Sequence, residues 1–151
     1  MTKQHRPLAA YILAVGLFLC GSALQAAEMG ETLYKRLGGY DAIAAVSDDF
    51  IGRLAADKQL NRFLVGLSAD SQKKLRQHVV DQLCEATGGP CKYIGRTMKT
   101  AHTGLGITES DWQLTVKHLV ASLDKFKVPE KEKNEFLALA SSLKPDIVEK
   151  P

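Results

Sequence analysis

The chain has few cysteines, no long apolar run and no segment with the apolar–polar alternation of a β-strand. Each of these features argues against a class of protein. Its apolar runs stay short of the roughly 20 residues that a membrane-spanning helix needs. The absence of a Gly-x-Gly-x-x-Gly motif argues against a flavin or nicotinamide site of the usual kind. No segment alternates apolar and polar residues and no repeat occurs, which argues against a β-sheet protein and a repeat array.

What is present is the composition of an ordinary globular protein. Hydrophobic residues make up 45% of the 151 residues and charged residues make up 25%, which are typical values for a folded domain. This length is enough for one domain with a buried core and too short for two.

The first residues have the three-part layout of a secretory signal peptide. A basic start at residues 3–6 is followed by an apolar run at residues 8–20 and by the small-residue stretch 21–27. The apolar run is short for a retained membrane anchor, so we expect cleavage after Ala26 or Ala27. The prediction is a signal peptide over residues 1–27, a mature domain over residues 28–151 and export, with a periplasmic location.

Removing this segment changes the charge balance. Residues 1–26 contain Lys3 and Arg6 and no acidic residue, so 18 of the 20 basic residues remain beside all 17 acidic residues. The pI of 8.7 therefore gives no reason to expect a nucleic-acid partner. We expect a monomer without stable membrane insertion after cleavage.

Cys84 and Cys91 are the two cysteines that remain after cleavage. An oxidising compartment permits a disulfide between them, and the intervening Gly-Gly-Pro sequence allows the chain to turn back. The alternative is that each packs separately as a small apolar residue. Two cysteines without a second pair do not form a structural zinc site, and the missing Cys-x-x-Cys-His motif excludes covalent haem attachment by that route.

Apolar residues at helical spacing predict an all-α fold. We expect helices over residues 41–56 and about 71–86, two more after Thr108 and Pro129, and a short helical turn near residues 60–64. Pro145 is expected to kink or end the last helix. The predicted buried faces are Ile43, Val46, Phe50 and Leu54; Leu75, Val79, Leu83 and Ala86; Trp112, Val116, Leu119, Val120, Leu123 and Phe126; and Phe136, Leu137, Leu139, Ala140 and Leu143.

His102 ends a short predicted helical segment that begins near Met98 and stops at Gly104 and Gly106. Neutral imidazole is the commonest metal ligand among protein side chains at neutral pH. Such a segment can direct one ring nitrogen into a pocket, but a lone histidine is more often a surface or core residue. His118 lies on a strongly amphipathic helix, and we expect a structural role for it.

An ordered set of motifs surrounds His102, and together they resemble a group I truncated haemoglobin. The resemblance extends from about Thr32 to Val148, nearly the whole mature chain. Its motifs are Leu33-Tyr34-Lys35-Arg36-Leu37-Gly38-Gly39, Asp49-Phe50, Gly88-Gly89-Pro90, Tyr93-Ile94-Gly95-Arg96-x-Met98, and Ala101-His102-x-Gly104-Leu105-Gly106-Ile107.

This resemblance implies a two-over-two helical sandwich around non-covalent haem b, with His102 as the proximal iron ligand. Several apolar side chains would then contact the haem, although plain core packing is the alternative for each. Tyr93, Arg96 and Lys99 could reach the haem propionates or simply be solvated. The expected haem-binding residues are Phe50, Ile51, Phe63, Leu75, His78, Val79, Tyr93, Met98, His102, Ile107 and Val116.

His78 lies on the helix that should cover the other face of the haem. Some members of the family carry a histidine at this place that binds iron as a sixth ligand when no gas is bound. A salt bridge to a propionate and a solvent-facing side chain are the two alternatives, and the sequence does not choose among the three.

The chain departs from the family at two positions on that face. Many relatives have a tyrosine where this chain has Ile51, and a glutamine where it has Val79. Both usual hydrogen-bond donors to bound dioxygen are therefore apolar here, and each such bond contributes about 1.5–3 kcal/mol. Gln82 or His78 could substitute if either side chain turns inward.

Three functions follow as hypotheses. The first is an exported haem protein that reversibly binds dioxygen, nitric oxide or CO. If this protein also catalyses nitric oxide dioxygenation, it needs an external electron donor. The second is a six-coordinate protein for electron transfer or redox sensing, with His78 and His102 as axial ligands. The third is a helical interaction module without haem. Optical spectra of the purified protein distinguish them.

Overall fold

Helices account for most of the described part of the chain, residues 30–150 of the computed structural model, and the predicted signal peptide lies outside it. A single 3₁₀ turn, Asn61–Phe63, joins the second helix to the third. The helices are α1 (Leu33–Arg36), α2 (Gly39–Ala56), α3 (Ala69–Ala86), α4 (Met98–His102), α5 (Glu109–Lys125), α6 (Glu130–Ser142) and α7 (Lys144–Ile147).

Hydroxyl side chains determine where four of these helices begin, because each satisfies a backbone N–H that lacks a helical partner. Thr32, Ser68, Thr97 and Thr108 accept hydrogen bonds at the starts of α1, α3, α4 and α5. The backbone N–H of Thr108 also donates to the Asp111 carboxylate, which is the reciprocal bond of a capping box. The predicted start after Thr108 is confirmed.

The longer helices form two pairs, α2 with α3 and α5 with α6, and the pairs meet where α2 contacts α5. Helix α2 packs against α3 and α5, and α5 packs against α6, while the short α4 packs against α7. Residues 30–150 contain no strand, only an isolated bridge between Thr108 and Lys150. This is the predicted all-α, two-over-two arrangement. No helix within this range has the length and apolar character needed to cross a bilayer.

Two apolar clusters fill the interior on either side of α2. One joins α2 to α3 through Ile43, Ala44, Val80 and Cys84. The other joins α2 to the first, fifth and sixth helices, and Phe50 packs at its edge. Its buried members are Leu33, Val46, Leu119, Leu123 and Phe136. The residues predicted on the faces of α2 and α5 supply much of this second cluster.

Helix α3 differs from its predicted buried face. The fully buried residues are Val80 and Cys84, whereas Val79 is half-buried and Ala86 is exposed. Val80 and Cys84 lie one turn apart and therefore contact α2 together. Val79 lies on the neighbouring stripe, which is only partly buried.

The ends of α5 and α6 also differ from prediction. Phe126 and Leu139 are 41% and 38% exposed, so neither is a core residue. Phe126 follows the last residue of α5, where the chain turns away from the core toward α6. Pro129 is the residue before α6 rather than part of its first turn, and the expected break occurs at Leu143, ahead of Pro145 in α7.

Candidate functional site

His102 is the last residue of α4, and its half-buried ring is held by its own helix. The imidazole Nδ1 lies 2.7 Å from the carbonyl oxygen of Met98, four residues earlier. A carbonyl oxygen can only accept a hydrogen bond, so the ring proton is on Nδ1. In the neutral ring, Nε2 then carries the lone pair that can bind a metal ion.

In most metal-binding histidines, the N–H of the second ring nitrogen donates a hydrogen bond to a carbonyl or carboxylate oxygen. This bond fixes the ring direction and the tautomer. The hydrogen bond from His102 to Met98 has this form. Thr97 stabilises the start of the same short helix by accepting a bond from Thr100. The local structure therefore presents His102 as a preorganised imidazole ligand.

His78 lies in the middle of α3 and carries an unusual polar atom. Its Nδ1 is buried and has no hydrogen-bond partner within residues 30–150. A buried polar atom without a partner costs about 1–3 kcal/mol, so such atoms often mark a place where another group binds. The ring packs edge-on against Tyr93, with centroids 5.8 Å apart and an interplanar angle of 74°.

Tyr93 is fixed by the loop that follows α3. Its hydroxyl donates to the carbonyl of Arg96 at 2.6 Å, and its backbone N–H donates to Glu85 at 3.0 Å. Burial raises the pKa of the Tyr93 hydroxyl, which keeps it protonated as a donor. The loop therefore holds an aromatic ring against His78.

A disulfide between Cys84 and Cys91 ties this loop to the end of α3. Gly89 lies between the two cysteines and tolerates no side chain, because an added Cβ would lie 2.5 Å from the Tyr34 ring and 2.7 Å from the Cys84 sulfur. Of the two alternatives left open by the sequence, the structure has the disulfide.

Ile51 and Leu75, two of the predicted site residues, line one cavity of about 250 Å³ between α2 and the start of α3. The others that line it include Leu64, Val65 and Leu67, which were not predicted as site residues. The sequence indicates them only by the apolar run at residues 63–67, the first part of which was predicted as a short helical turn. Phe63, at the start of that run, is half-buried and lies beneath the guanidinium of Arg62, 4.6 Å from its ring centroid.

Of the remaining apolar residues predicted for the site, Ile107 is buried and the others are half-buried. Val79, Met98 and Val116 are half-buried and lie on three different helices, α3, α4 and α5. Phe50 packs against the core cluster that contains Val46, so core packing accounts for at least part of its role.

Charged and titratable groups near the site have simpler roles. Arg96 and Lys99 are exposed, so the structure gives neither a fixed partner in the site. His118 does not join the site, because its Nε2 lies 2.9 Å from the carboxylate of Asp57. That hydrogen bond lowers the pKa of Asp57. The expected structural role of His118 is confirmed.

These residues fit a haem group. An unprotonated imidazole Nε2 at His102 suits an iron atom, and partly exposed apolar side chains suit the porphyrin ring. The unpartnered Nδ1 of His78 suits a polar ligand or a propionate. When bound, haem would supply the iron that makes the bond to a diatomic gas, and the chain would supply the axial imidazole and the surrounding pocket.

Comparison with known proteins agrees with this geometry. The model for the bacterial-like globin family matches residues 32–149. The group 1 truncated hemoglobin GlbN of Mycolicibacterium paratuberculosis is 34% identical over 116 residues, which cover 77% of this chain and 83% of that protein. GlbN of Synechocystis is 32% identical over 115 residues, which cover 74% and 90%.

Solved structures show the same fold. A mutant of the truncated hemoglobin from Tetrahymena pyriformis, in the Fe(III) form, superposes with a TM-score of 0.72 at 26% identity, covering 78% of this chain and 98% of that one. The 2/2 hemoglobin from Synechococcus, in the cyanomet state and with covalently attached heme, gives 0.71 at 28% identity, with the same coverage of each chain.

The fold and the site define a truncated globin, a haem protein that binds gases. The chain belongs to the bacterial-like globin family, and its similarity to group 1 truncated hemoglobins spans the described helices from α1 to α7.

Proposed function

We propose that this chain is an exported haem b protein that reversibly binds dioxygen or another diatomic gas, with His102 as the proximal iron ligand. The observation that carries the proposal is the hydrogen bond between His102 Nδ1 and the Met98 carbonyl, which leaves Nε2 as the ligand atom. The pocket side chains on the α3 side, chiefly Ile51, Leu75 and Val79, would set which gas binds and how fast it leaves.

Optical spectroscopy of the haem-loaded protein tests the ligand assignment. We expect His102→Ala to lose the wild-type Soret position and most of its haem retention, because the axial bond is removed. His118→Gln is the matched control, since it removes an imidazole outside the site, and its spectrum should match the wild type. An unchanged spectrum in His102→Ala would show that the assignment is wrong.

A second candidate function rests on His78. Its buried, unpartnered Nδ1 and its position against Tyr93 favour a bis-histidine haem protein that transfers electrons or senses redox state. A low-spin spectrum in both oxidation states, unmoved by air or CO, would favour this function over gas binding. Loss of that spectrum in His78→Ala would identify the sixth ligand.

We propose that the haem is bound non-covalently, because the side chains that could form a covalent bond to it have other roles. The Cys84 and Cys91 thiols are consumed in a disulfide, and the His118 ring is engaged with Asp57. His102 would be occupied by iron and His78 lies against Tyr93. None of these five side chains is therefore well suited to a second, covalent role.

Export is proposed from two independent features. Residues 1–27 have the composition of a signal peptide. The disulfide between Cys84 and Cys91 is a bond that forms and persists in oxidising compartments such as the periplasm and is rare in the cytosol. An external electron donor would be needed for any turnover that consumes electrons, because the chain has no dinucleotide-binding motif.

A further inference from the structure

The loop that follows His102 is hydrogen-bonded to residues about 45 positions later in the chain. The two carboxylate oxygens of Glu149 accept from the backbone N–H groups of Gly104 and Gly106, at 2.7 and 2.5 Å. The carbonyl of Ile107 accepts from the backbone N–H groups of Glu149 and Lys150, at 2.9 and 3.1 Å. We refer to Glu149 and Lys150 as the clamp.

The clamp holds a loop with an uncommon backbone. Gly104 and Gly106 have φ angles of +87° and +65°, a region in which other residues are strained. The N–H groups of these two glycines, which are two residues apart in the chain, both donate to a single carboxylate. The two hydrogen bonds also lower the pKa of Glu149, so the side chain is charged at neutral pH and both bonds are charge-assisted.

The loop connects directly to His102. The backbone N–H of Leu105 donates to the carbonyl of His102 at 3.2 Å, and α7, which precedes the clamp, packs against α4. At the other end of the loop, Ile107 is buried and Glu109 donates its N–H to the carbonyl of Lys150. Both ends of the segment between His102 and α5 are thus fixed by the same two residues.

We infer that Glu149 is a positioning residue for the proximal histidine: by holding the loop that follows His102, it sets the position and direction of the imidazole toward the iron. This inference rests on the proposed haem function. The direct contact of Glu149 is with backbone N–H groups of the loop, so its effect on iron is transmitted through α4 and the loop. The orientation of a metal-binding side chain is commonly controlled by residues that do not themselves touch the metal.

Hydrogen exchange of the haem-free protein tests the clamp itself. We expect amides in the segment 103–107 to exchange about tenfold faster in Glu149→Ala than in the wild type, because two charge-assisted bonds are lost. Glu149→Gln keeps the shape and one acceptor oxygen, and should lie between the two. Asp146→Asn is the control, since Asp146 is an exposed carboxylate on α7 outside the clamp.

Resonance Raman spectroscopy of the ferrous haem protein tests the positioning role, in a His78→Ala background that removes competition for the sixth site. We expect the iron–histidine stretching band to shift and broaden in Glu149→Ala, to move less in Glu149→Gln and to stay in place in Asp146→Asn. An unmoved band in Glu149→Ala would overturn the inference even if hydrogen exchange increases. If wild-type protein gives no haem spectrum, the proposed function fails and the positioning role fails with it.

Discussion

The two histidines of the site differ in how their ring nitrogens are satisfied. His102 donates from Nδ1 to its own helix, so the direction of its other nitrogen is fixed before any ligand arrives. His78 has a buried Nδ1 with no partner in the described part of the chain, and its ring packs edge-on against Tyr93. The His102 side of the candidate site is thus preorganised by hydrogen bonding and the His78 side by packing.

Substitution of Ile51 tests the effect of the missing hydrogen-bond donor in the proposed gas-binding pocket. We expect Ile51→Tyr to slow dioxygen release by about 10- to 100-fold, because a hydroxyl donated to bound dioxygen contributes about 1.5–3 kcal/mol. The side chain borders the cavity shared with Leu75, so an aromatic ring has space there. Stopped-flow displacement of dioxygen by CO measures the rate.

Ile51→Phe is the matched control, since it adds the ring without the hydroxyl. It should release dioxygen at nearly the wild-type rate. Equal slowing by both substitutions would show that bulk in the cavity, rather than a hydrogen bond, governs release.

Individual residues of the site were predictable to different degrees. His102 could be identified because it stands within an ordered set of motifs, and helical spacing places Met98 one turn before it. The cavity residues Val65 and Leu67 were missed because they lie in a loop, where no periodicity marks a shared face. The clamp residue Glu149 was missed for a different reason, since a carboxylate that binds backbone N–H groups leaves no pattern in the sequence.

At the scale of helices, the contact between α2 and α5 depends on a half-buried carboxylate, that of Asp49, as well as on apolar packing. Asp49 of α2 accepts hydrogen bonds from Lys125 at 2.5 Å, Arg53 at 2.6 Å and Ser122 at 2.8 Å. These donors, chiefly Lys125 and then Arg53, hold the pKa of the Asp49 carboxyl far below its usual range. The charged carboxylate is therefore favoured in the folded state.

Asp49→Asn should lower stability in a pH-dependent way. Because the pKa of Asp49 is lowered on folding, its contribution is fully present above the unfolded value of about 3.9 and is lost as pH falls toward the folded value. We expect wild type and variant to differ by a constant amount from pH 7 to pH 5, and to converge as pH falls below about 4. Urea unfolding at several pH values measures this difference.

Asp48→Asn supplies the comparison on the same helix. Asp48 pairs with Arg76 at 2.5 Å, but both side chains are well exposed, and exposed pairs contribute little to stability. Its variant should stay close to the wild type at every pH. A pH-independent loss in Asp49→Asn would mean that shape, rather than charge, explains the role of Asp49.

The helices themselves were largely predictable, but the side each one buries was less so. Helix α3 has apolar residues on two adjacent stripes, and spacing alone cannot tell which stripe meets α2. The structure buries the stripe with Val80 and Cys84 and leaves Leu75 and Val79 beside the site. The sequence-based prediction named the stripe with Leu75 and Val79 and omitted Val80 and Cys84, because the contact that decides between the stripes involves a helix some 35 residues earlier.

At the scale of the whole molecule, the described residues 30–150 contain the whole of the family match, residues 32–149. The prediction from sequence covered almost the same span, from about Thr32 to Val148. The fold could be predicted this well because the motifs are distributed along the whole domain, with at least one near each packed pair of helices. Export and haem attachment are also properties of the whole molecule.

Intact mass under denaturing conditions tests both properties at once. We expect protein released from the periplasm to have the mass of residues 27–151 or 28–151, less two hydrogens for the Cys84–Cys91 bond and without the mass of haem. The same sample before denaturation should show a Soret band. Full-length mass in a cytoplasmic fraction would contradict export, and a mass increased by haem would contradict non-covalent binding.

Gly89 has a consequence for how this sequence can change over time. An added Cβ there meets an aromatic ring, a disulfide sulfur and the backbone carbonyl of Cys84, all within 2.8 Å. In a saturation library, position 89 should therefore be depleted of every other amino acid. Replacement of both Tyr34 and Cys84 would remove two of these contacts and leave the backbone carbonyl, so descendants of this chain should keep glycine at position 89.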